Sequence, residues 1–378
     1  MKRIALVYDR ELWIGGVETH LVSLVKRINP EQFTFSIVSP ISESYQKKAQ
    51  ILGAKIIPIQ HFKPIDLGTA IKLSKIFRAE KIDLVHAHSP TAAIQARLAA
   101  KLAGLPSIVT VHAPSIYYYG ERQTLRARTG RSIYVAIDRL MNFTMTNALI
   151  YVSNQVYNIY LSRHWTPVNR SFVIPNGIDL SPYQSDTQRF EVREAQNVPP
   201  EVPVITYVGR LSYEKGLETL LHALSVLKDH FPSVFKVWII GTGQDEYALR
   251  SMTNELSLQE RVSFLGYHEQ VSDYLLASDC FVLPSHHEAM SIAILEAMAA
   301  GLPCVVTDVG DNAQLINDGE QGFVILQNST ESLAQLLNRL LLDSDLRQRM
   351  GQSARIKAQC FSDLQMVEQI QQLYERLL

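Results

Sequence analysis

The chain has 378 residues, a length that is too great for one comfortable hydrophobic core and that suits two domains of ordinary size. Hydrophobic residues make up 47% and charged residues 19% of the sequence, which places it among globular proteins. The net charge of −1 conceals a split, because residues 1–180 carry 22 Lys and Arg against 11 Asp and Glu, whereas residues 181–378 carry 14 against 26. This asymmetry predicts two domains with different partners or surfaces.

Cysteines and apolar runs indicate the compartment. Cys280 and Cys304 lie in predicted buried strands, and neither they nor Cys360 has metal-ligand spacing, so we interpret all three as reduced thiols. No apolar stretch reaches about 18 residues, so we predict neither a signal peptide nor a membrane-spanning helix. These features fit a reducing cytosol, and we expect a cytoplasmic protein.

The first half of the chain alternates short apolar runs with amphipathic stretches, which predicts an α/β fold with a parallel, doubly wound sheet. The predicted strands are Ile4–Tyr8, Phe33–Val38, Ile56–Ile59, Leu84–His88, Ile108–His112, Ala148–Ser153 and Phe172–Pro175. The predicted helices are Val17–Ile28, Tyr45–Leu52, Thr69–Ala79, Thr91–Ala103 and Leu125–Met145.

The second half repeats this architecture after a polar segment, Ser181–Pro203, whose prolines predict a hinge or linker. The predicted strands are Val204–Val208, Phe235–Ile240, Val262–Leu265, Cys280–Pro284, Pro303–Thr307 and Gly322–Ile325. The predicted helices are Leu217–Lys228, Asp245–Leu256, one from Ser291 to Gly301, Glu331–Leu342 and Asp345–Gln359. The last segment, Asp363–Leu378, has one apolar stripe and needs another element to pack against.

Two carboxylates have special places after the predicted strand Cys280–Pro284. Glu288 lies in the loop at the carboxyl end of that strand, which is the edge where open parallel sheets bind ligands. Glu296 is an isolated charge in an apolar helix that Gly301 ends. Taken singly, Glu288 is equally well explained as a solvated loop acid and Glu296 as a helix surface residue.

A second candidate site follows the predicted strand Val204–Val208. Gly209 allows a ligand to approach the backbone, and the helix start that follows offers free N–H groups to an anion. Arg210 and Lys215 add two positive charges that suit a diphosphate. The alternative is an ordinary turn with surface cations. Gly241-Thr242-Gly243 lacks the third glycine and the acid of a dinucleotide site, so we discount NAD.

Polar residues also gather at the carboxyl ends of the first-half strands. His86, His88 and His112 all fall there, and three histidines at one edge favour a polar site over isolated structural residues. Asp9 ends the first strand, and Gly15-Gly16 permits positive φ and close contact before a helix. A plain loop would also explain the glycine pair.

The pattern Glu-x7-Glu followed by Ala-Met-Ala-x-Gly-x-Pro, from Glu288 to Pro303, closely resembles the donor-sugar signature of retaining glycosyltransferases of family four. Gly209 to Gly216 resembles the Gly-Arg-x5-Gly element of that family, and Gly15-Gly16 resembles its Gly-Gly loop. The resemblance spans nearly the whole chain and implies the GT-B fold, which has two Rossmann-like, doubly wound parallel-sheet domains with a cleft between them. The implied boundaries are 1–180 for an acceptor-binding domain, 181–360 for a nucleotide-sugar domain, and 361–378 for a terminal helix that crosses back to the first domain.

The resemblance also implies roles for individual residues. Arg210 and Lys215 would bind the donor diphosphate and stabilise the departing nucleotide. Glu288 would bind sugar hydroxyls and Glu296 the ribose hydroxyls, while His112 would orient the donor sugar by a hydrogen bond. The implied catalytic group is Arg210, Lys215, His112 and Glu288; further donor contacts are Gly16, Gly209, Ala289, Met290, Ser291 and Ile292; candidate acceptor contacts are Asp9, Gly15, His86 and His88. No metal or cofactor is expected.

The chain departs from the family's usual pattern in two segments. Ala113 stands where an Asp often follows the sugar-contacting histidine, and Ala289-Met290-Ser291 replaces the commoner Gly-Phe-Gly. Because these positions would line the sugar pocket, the identity of the hexose stays open.

The implied activity is retaining transfer of a hexose from a nucleotide sugar, expected to be a UDP-hexose, to a lipid-linked or saccharide acceptor in polysaccharide or glycolipid biosynthesis. A nucleotide-sugar epimerase on the same scaffold and a non-catalytic sugar-nucleotide binding protein are the alternatives. We expect no nucleic-acid partner.

The segment from Tyr117 to Met141 mixes aromatic, basic and apolar residues, which suits an interfacial helix drawn to anionic lipid. Its basic residues are Arg122, Arg126, Arg128, Arg131 and Arg139. We therefore expect a peripheral protein on the inner face of the cell membrane. A solvated core helix with cations that point to water is the alternative.

Overall fold

The computed structural model describes residues 1–9, 15–40, 53–59, 62, 66–114, 125–184, 189–230 and 234–378, and side chains within the long helix that starts at Leu125 are described from residue 132. The predicted helix Tyr45–Leu52, the segment Tyr117–Arg122 and the side chains of Arg126, Arg128 and Arg131 lie outside the described residues. The chain forms two compact units, Met1–Gly177 with Asp363–Leu378, and Ile178–Ser362.

The first unit is built on a seven-stranded parallel sheet in the order β3-β2-β1-β4-β5-β6-β7. Its strands are β1 Lys2–Val7, β2 Phe33–Ser39, β3 Lys55–Pro58, β4 Leu84–Ala87, β5 Ser107–Val111, β6 Ala148–Tyr151 and β7 Ser171–Val173. Its helices are α1 Gly16–Arg27, α2 Leu67–Ala79, α3 Pro90–Ala103, α4 Leu125–Thr144 and α5 Asn154–Ser162, joined by the terminal helix Asp363–Leu377. Strands such as β4 are buried on both faces, as a sheet covered by helices requires.

The terminal helix belongs to this first unit. Ile370 and Tyr374 share a buried apolar cluster with Leu21 and Leu24 of α1. Arg27 Nε lies 2.9 Å from Asp363 Oδ2, and the Asp363 side chain is only 3% exposed. Most of the apolar stripe that the sequence places on this helix is therefore buried in the cluster that includes α1, although Leu364 near its start is 58% exposed.

The second unit is built on a six-stranded parallel sheet in the order β10-β9-β8-β11-β12-β13. Its strands are β8 Val204–Val208, β9 Lys236–Ile240, β10 Val262–Gly266, β11 Cys280–Leu283, β12 Cys304–Thr307 and β13 Gly322–Ile325. Its helices are α6 Arg189–Ala195, α7 Leu217–His230, α8 Glu246–Glu255, α9 Val271–Leu276, α10 Ile292–Ala299, α11 Asn312–Leu315, α12 Thr330–Leu342 and α13 Ser344–Ala358, so the terminal helix is α14.

The segment predicted as a linker is in part a folded piece of the second unit. It contains α6, whose Arg193 is 3% exposed and donates to the carbonyl oxygens of Ala277 at 2.8 Å and Val202 at 2.9 Å. Asp279 accepts from both Arg189 and Arg193. The prolines and polar residues made the segment resemble a linker, but the largely buried Arg193–Asp279 ion pair and the packing of Val192 on an apolar cluster anchor this short helix.

Sheet order decides where ligands are expected. In each sheet the strand order reverses direction next to its first strand, between β1 and β4 in the first unit and between β8 and β11 in the second. Loops leave the carboxyl ends of the two neighbouring strands toward opposite faces there and open a crevice, which is the usual ligand site of doubly wound sheets. Among the described residues, no helix is long and apolar enough to cross a membrane.

Candidate functional site

Two loops of the second unit are joined at the point where the strand order reverses. The loop after β8 contains Glu214, whose carbonyl oxygen accepts from the backbone N–H of His286, in the loop after β11, at 2.8 Å. Gly216 has φ 66°, and a Cβ at this position would lie 2.0 Å from the carbonyl oxygen of Pro284. Only glycine therefore allows these loops to approach so closely.

An ion pair connects the same two loops. Lys215 Nζ lies 2.6 Å from Glu288 Oε1, and the two side chains are only 16% and 9% exposed. Ser285 Oγ donates to the same carboxylate oxygen at 2.8 Å. The structure therefore brings together a cation and a carboxylate that are 73 residues apart in sequence. Ser285 was missed by the sequence analysis. Its position in the loop just after β11, next to Pro284, was a usable signal.

Arg210 occupies a more open position on the first of these loops. Its guanidinium lies 2.9 Å from Glu214, and its side chain is 50% exposed. The buried Tyr207 hydroxyl donates to the carbonyl oxygen of Arg210 at 2.8 Å. A Cβ on Gly209 would lie 2.7 Å from that hydroxyl, so glycine is required here for Tyr207 to make its hydrogen bond to the turn. Tyr207 was not identified from the sequence.

The Gly241-Thr242-Gly243 segment, discounted as a dinucleotide site, has a structural role. Cβ atoms on Gly241 and Gly243 would lie 1.9 Å and 2.1 Å from the carbonyl oxygens of Gly209 and Leu211. Leu211 donates its backbone N–H to the carbonyl of Thr242 at 3.0 Å. These glycines let the loop after β9 pack directly against the backbone of the loop that carries Arg210.

The segment that follows Glu288 is held from behind by another glycine loop. Ala289, Met290, Ser291 and Ile292 are all less than 9% exposed. The Asp311 N–H donates to the carbonyl of Ala289 at 2.8 Å, and a Cβ on Gly310, whose φ is 59°, would lie 2.7 Å from the carbonyl of Glu288. Because the side chains of residues 289–292 are mostly enclosed, this segment offers a ligand mainly its backbone and the N-terminus of α10.

Glu296 lies on α10, and its carboxylate has no hydrogen bond or ion pair among the described residues. Burial raises the pKa of its carboxyl from 4.5 to about 7. Burial also raises the pKa of Tyr183, and the nearby Glu296 charge adds to that effect. A carboxylate held in a desolvated position without a cation is costly, which is more typical of a ligand-binding group than of a structural one.

In the first unit, the glycine pair begins α1. Gly15 is the N-cap residue with φ 152°, a conformation that side chains rarely adopt, and Gly16 is the first helical residue. The Tyr8 hydroxyl donates to Glu18 of the same helix at 2.7 Å. Asp9 Oδ1 is buried and has no hydrogen-bond partner among the described residues.

Three histidines from different elements of this unit meet near the carboxyl ends of β4 and β5. His88 Nδ1 lies 3.3 Å from His112 Nε2, and the ring of His20, from α1, stands edge-on to His112 with centroids 5.0 Å apart. His20 Nδ1 lies 3.1 Å from Asn176 Oδ1. His20 was missed by the sequence analysis; the available signal was its position one helical turn after Gly16 in α1.

The histidines of this cluster are neutral near pH 7. Burial lowers the pKa of His20 from 6.5 to about 4, opposed by its hydrogen bond to Asn176. Burial, reinforced by repulsion from neighbouring histidines, also holds the pKa values of His88 and His112 well below their usual range. Each ring therefore carries one N–H and one lone pair.

His86 differs from the expectation that it contacts an acceptor. It is fully buried, and both of its ring nitrogens are hydrogen-bonded, Nδ1 to the Tyr374 hydroxyl at 2.6 Å and Nε2 to Thr110 Oγ1 at 2.7 Å. Its ring lies 4.1 Å from that of His88. The structure thus makes His86 a support for His88 that also links β4 to α14.

Two family models match the chain, one in each half, and together they span most of it. Glycosyltransferase Family 4 matches residues 14–182, and Glycosyl transferases group 1 matches residues 188–357. The chain is 31% identical over 316 residues to the UDP-Gal:alpha-D-GlcNAc-diphosphoundecaprenol alpha-1,3-galactosyltransferase of Escherichia coli, covering 82% of this chain and 79% of that protein. It is 26% identical over 326 residues to the putative glycosyltransferase EpsD of Bacillus subtilis, covering 84% and 83%.

Solved structures show the same fold. HepE of Anabaena in complex with UDP-glucose superimposes with a TM-score of 0.84 at 21% identity, covering 100% of both chains. A glycosyltransferase from Rickettsia africae ESF-5 superimposes with a TM-score of 0.83 at 21% identity, covering 100% of this chain and 98% of that one. Together with the two parallel sheets and the matches to both family models, these likenesses establish that the chain belongs to the family 4 (group 1) glycosyltransferases and has the GT-B fold.

Proposed function

We propose that this glycosyltransferase moves a hexose from a UDP-sugar to a hydroxyl of a lipid-linked saccharide, with retention at the anomeric carbon and without a metal ion. The observation that carries the proposal is the Lys215–Glu288 contact at 2.6 Å between the loops after β8 and β11. In a nucleotide sugar the anionic diphosphate adjoins a ring of hydroxyls. A lysine and a carboxylate side by side at a parallel-sheet switch point match that junction.

The proposed donor contacts follow from this junction. Lys215 and the half-exposed Arg210 take the diphosphate, whose negative charge would draw Lys215 away from Glu288. Glu288 then accepts hydrogen bonds from sugar hydroxyls, and Glu296 accepts them from the ribose. His112 retains the role that the family resemblance gives it, a hydrogen bond to the donor sugar. The UDP-glucose complex of HepE supports a uracil nucleotide as the donor.

In the proposed reaction, the anomeric carbon loses its bond to the diphosphate oxygen and gains one to the acceptor oxygen on the same face. The acceptor proton passes to the departing diphosphate, so that no protein nucleophile is needed. Negative charge grows on the diphosphate in the transition state, and Arg210 and Lys215 stabilise it. Cationic side chains thereby do the work that a metal ion does in other transferases.

A lipid-linked acceptor is supported by the relative in Escherichia coli, whose name specifies a diphosphoundecaprenol-linked GlcNAc acceptor. It is also supported by α4 of the first unit. One face of this helix is anchored through Asp138 and Asn142, which bind the fully buried Arg97 at 2.6 Å each. The other face exposes Ile133 at 57%, Leu140 at 62% and Phe143 at 43%.

Spacings of seven and three residues put these three apolar side chains on one stripe of α4, and Arg139 is exposed beside them. An exposed apolar stripe with adjacent cations is the pattern of a helix that lies in a membrane interface. The first 180 residues, with twice as many basic as acidic residues, add attraction to anionic lipid. We propose peripheral attachment through this face.

The transfer is tested with purified protein, labelled UDP-hexoses and a short-chain lipid-diphosphate GlcNAc. NMR of the product gives the anomeric configuration, and retention is expected. Formation of an epimeric UDP-sugar would establish the epimerase instead. Binding of UDP-sugars without turnover of any of them would identify a non-catalytic binding protein.

Membrane attachment is tested by flotation with liposomes that contain anionic lipid. The wild type is expected to float at low salt and to be released at high salt. The Ile133→Ser/Leu140→Ser/Phe143→Ser variant should lose most of this binding, whereas Ile356→Ser, at a 74% exposed apolar position of the second unit, should not. Equal flotation of both variants would rule out α4 as the attachment face.

A further inference from the structure

Histidines from three separate elements of the first unit form a cluster with metal-ligand character. One ring nitrogen from each of His20, His88 and His112 lies within 4.8 Å of the other two. They come from α1 and from the residues that directly follow β4 and β5, so the parallel sheet and its covering helix fix their positions. Three imidazoles are the ligand set of several zinc sites that keep a fourth position open.

Hydrogen bonds within the cluster leave ring nitrogens unused. His20 donates its Nδ1 proton to Asn176 Oδ1, which leaves the lone pair on Nε2. That atom and Nε2 of His88 are both buried and have no hydrogen-bond partner among the described residues. An unpaired buried polar atom costs about 1–3 kcal/mol. His20 Nε2 therefore offers a buried lone pair to a ligand, and His88 offers the lone pair of Nδ1 when its Nε2 carries the proton.

Distances within the cluster are close to those of a coordinated ion. Two nitrogens bound at about 2.05 Å in a tetrahedral site lie about 3.3 Å apart. His88 Nδ1 and His112 Nε2 are already 3.3 Å apart. The nitrogen of His20 lies within 4.8 Å of the other two, and a bound ion would draw it closer.

The surroundings hold the rings in place. Metal-binding histidines usually donate their other N–H to a carbonyl or carboxylate oxygen, as His20 does to Asn176. His86 lies against the ring of His88 and is itself fixed by Thr110 and Tyr374. Little side-chain entropy is then lost when an ion binds.

We propose that His20, His88 and His112 bind a divalent transition-metal ion of the zinc class, with water in the fourth position. The ion would replace the hydrogen bond between His88 and His112 by two N–metal bonds. Its three ligands all belong to the first unit, whereas Lys215 and Glu288 belong to the second. The proposed function leaves the diphosphate to Arg210 and Lys215, so the ion would regulate the enzyme and would not take part in the diphosphate chemistry.

Regulation follows from His112 and rests on the proposed function. We assign the donor-sugar contact to Nε2 of His112, the atom that faces His88, and a metal ion bound there excludes that hydrogen bond. Zinc is therefore expected to inhibit transfer, with half-inhibition near the free zinc concentration that half-fills the site.

The binding test uses chelator-treated full-length protein from which any purification tag has been removed. Equilibrium dialysis should show one zinc ion per chain, and Co²⁺ should give the intense visible absorption of a tetrahedral nitrogen site. His20→Asn and His112→Ala should each remove both signals. His222→Asn, at an exposed histidine of the second unit, should keep them. Wild-type protein that binds no zinc, or a His222→Asn variant that loses it, overturns the proposal.

A second variant separates ligand loss from misfolding. Asn176→Ala keeps all three ligands and removes the oxygen that orients His20, so zinc affinity should fall about 10- to 100-fold without loss of stoichiometry. Unchanged affinity in this variant would contradict the assigned geometry.

The inhibition test compares each variant's rate in zinc with its own zinc-free rate. His20→Asn should no longer be inhibited. Zinc that binds in dialysis but leaves the wild-type rate unchanged would refute the sugar contact of His112 and retain the metal site. A protein that shows no transfer under any condition would refute the proposed function while the binding data stand.

Discussion

Replacing Glu296 with Gln should stabilise the second unit, and more so at alkaline pH. Burial raises the pKa of this carboxyl from 4.5 to about 7, and no cation compensates its charge among the described residues. At about 1.4 kcal/mol per pKa unit, the ionised carboxylate lowers the unfolding free energy by at most about 3.5 kcal/mol. A neutral glutamine of the same shape removes this cost.

The sign of the pH dependence follows from proton binding. Between pH 4.5 and about 7 the folded protein keeps a proton that the unfolded chain has released, so stability falls as the pH rises through this window. The advantage of Glu296→Gln should therefore be about 3 kcal/mol at pH 8 and below about 1 kcal/mol at pH 5.

The assay is urea unfolding at pH 5 and pH 8, monitored by hydrogen exchange of peptides from residues 204–358. These peptides report the unfolding free energy of the second unit separately from that of the first. Glu260→Gln, at an exposed position, is the matched control and should change stability little at either pH. A Glu296→Gln variant that is no more stable than wild type at pH 8, or that gains equally at both pH values, would refute the reasoning.

Three further predictions concern the donor site. Arg210→Ala and Lys215→Ala should each lower turnover at least about tenfold, or roughly 1.4 kcal/mol, because they remove charge that stabilises the leaving diphosphate; near-normal turnover in both folded variants would contradict this role. In isothermal titration with UDP, Glu296→Gln should weaken binding while Glu288→Gln leaves it nearly intact, and an equal loss would contradict the division between ribose and sugar. The rate of EDTA-treated enzyme should not rise on addition of Mg²⁺ or Mn²⁺, and a rate restored only by either ion would count against diphosphate binding by side chains alone.

The unfolding free energy and the UDP affinity of Glu296→Gln can be compared directly. Glu296 costs the folded protein free energy, so a variant that is more stable but binds UDP less tightly would show that the charge is kept for the ligand. A variant that loses both stability and affinity would make Glu296 a structural residue.

The fold and the family could be predicted because both depend on local patterns. Short apolar runs alternating with amphipathic stretches are enough to indicate two parallel sheets, and the structure confirms them. The Glu-x7-Glu frame and the Gly-Arg-x5-Gly element indicated the family, which the family models confirm. Both elements are contiguous stretches that fold as one strand–loop–helix unit, so their spacing survives in the sequence. Segment Ser181–Pro203 was partly misassigned because Arg193 is anchored by Asp279, 86 residues away.

The residue types at the carboxyl end of each strand can be read from the sequence alone. Which of them touch depends on long-range packing. Lys215 meets Glu288 because β8 and β11 are neighbours in the sheet. His20 of α1 joins His88 and His112, which follow the neighbouring strands β4 and β5, and α1 shares a buried apolar cluster with those strands. His86 and His88 are two residues apart on the same side of the strand. Both ring nitrogens of His86 are hydrogen-bonded, to Thr110 and Tyr374, while His88 Nε2 has no partner among the described residues. Such differences depend on partners distant in the chain, and strand order and helix packing, which no local pattern encodes, bring those partners together.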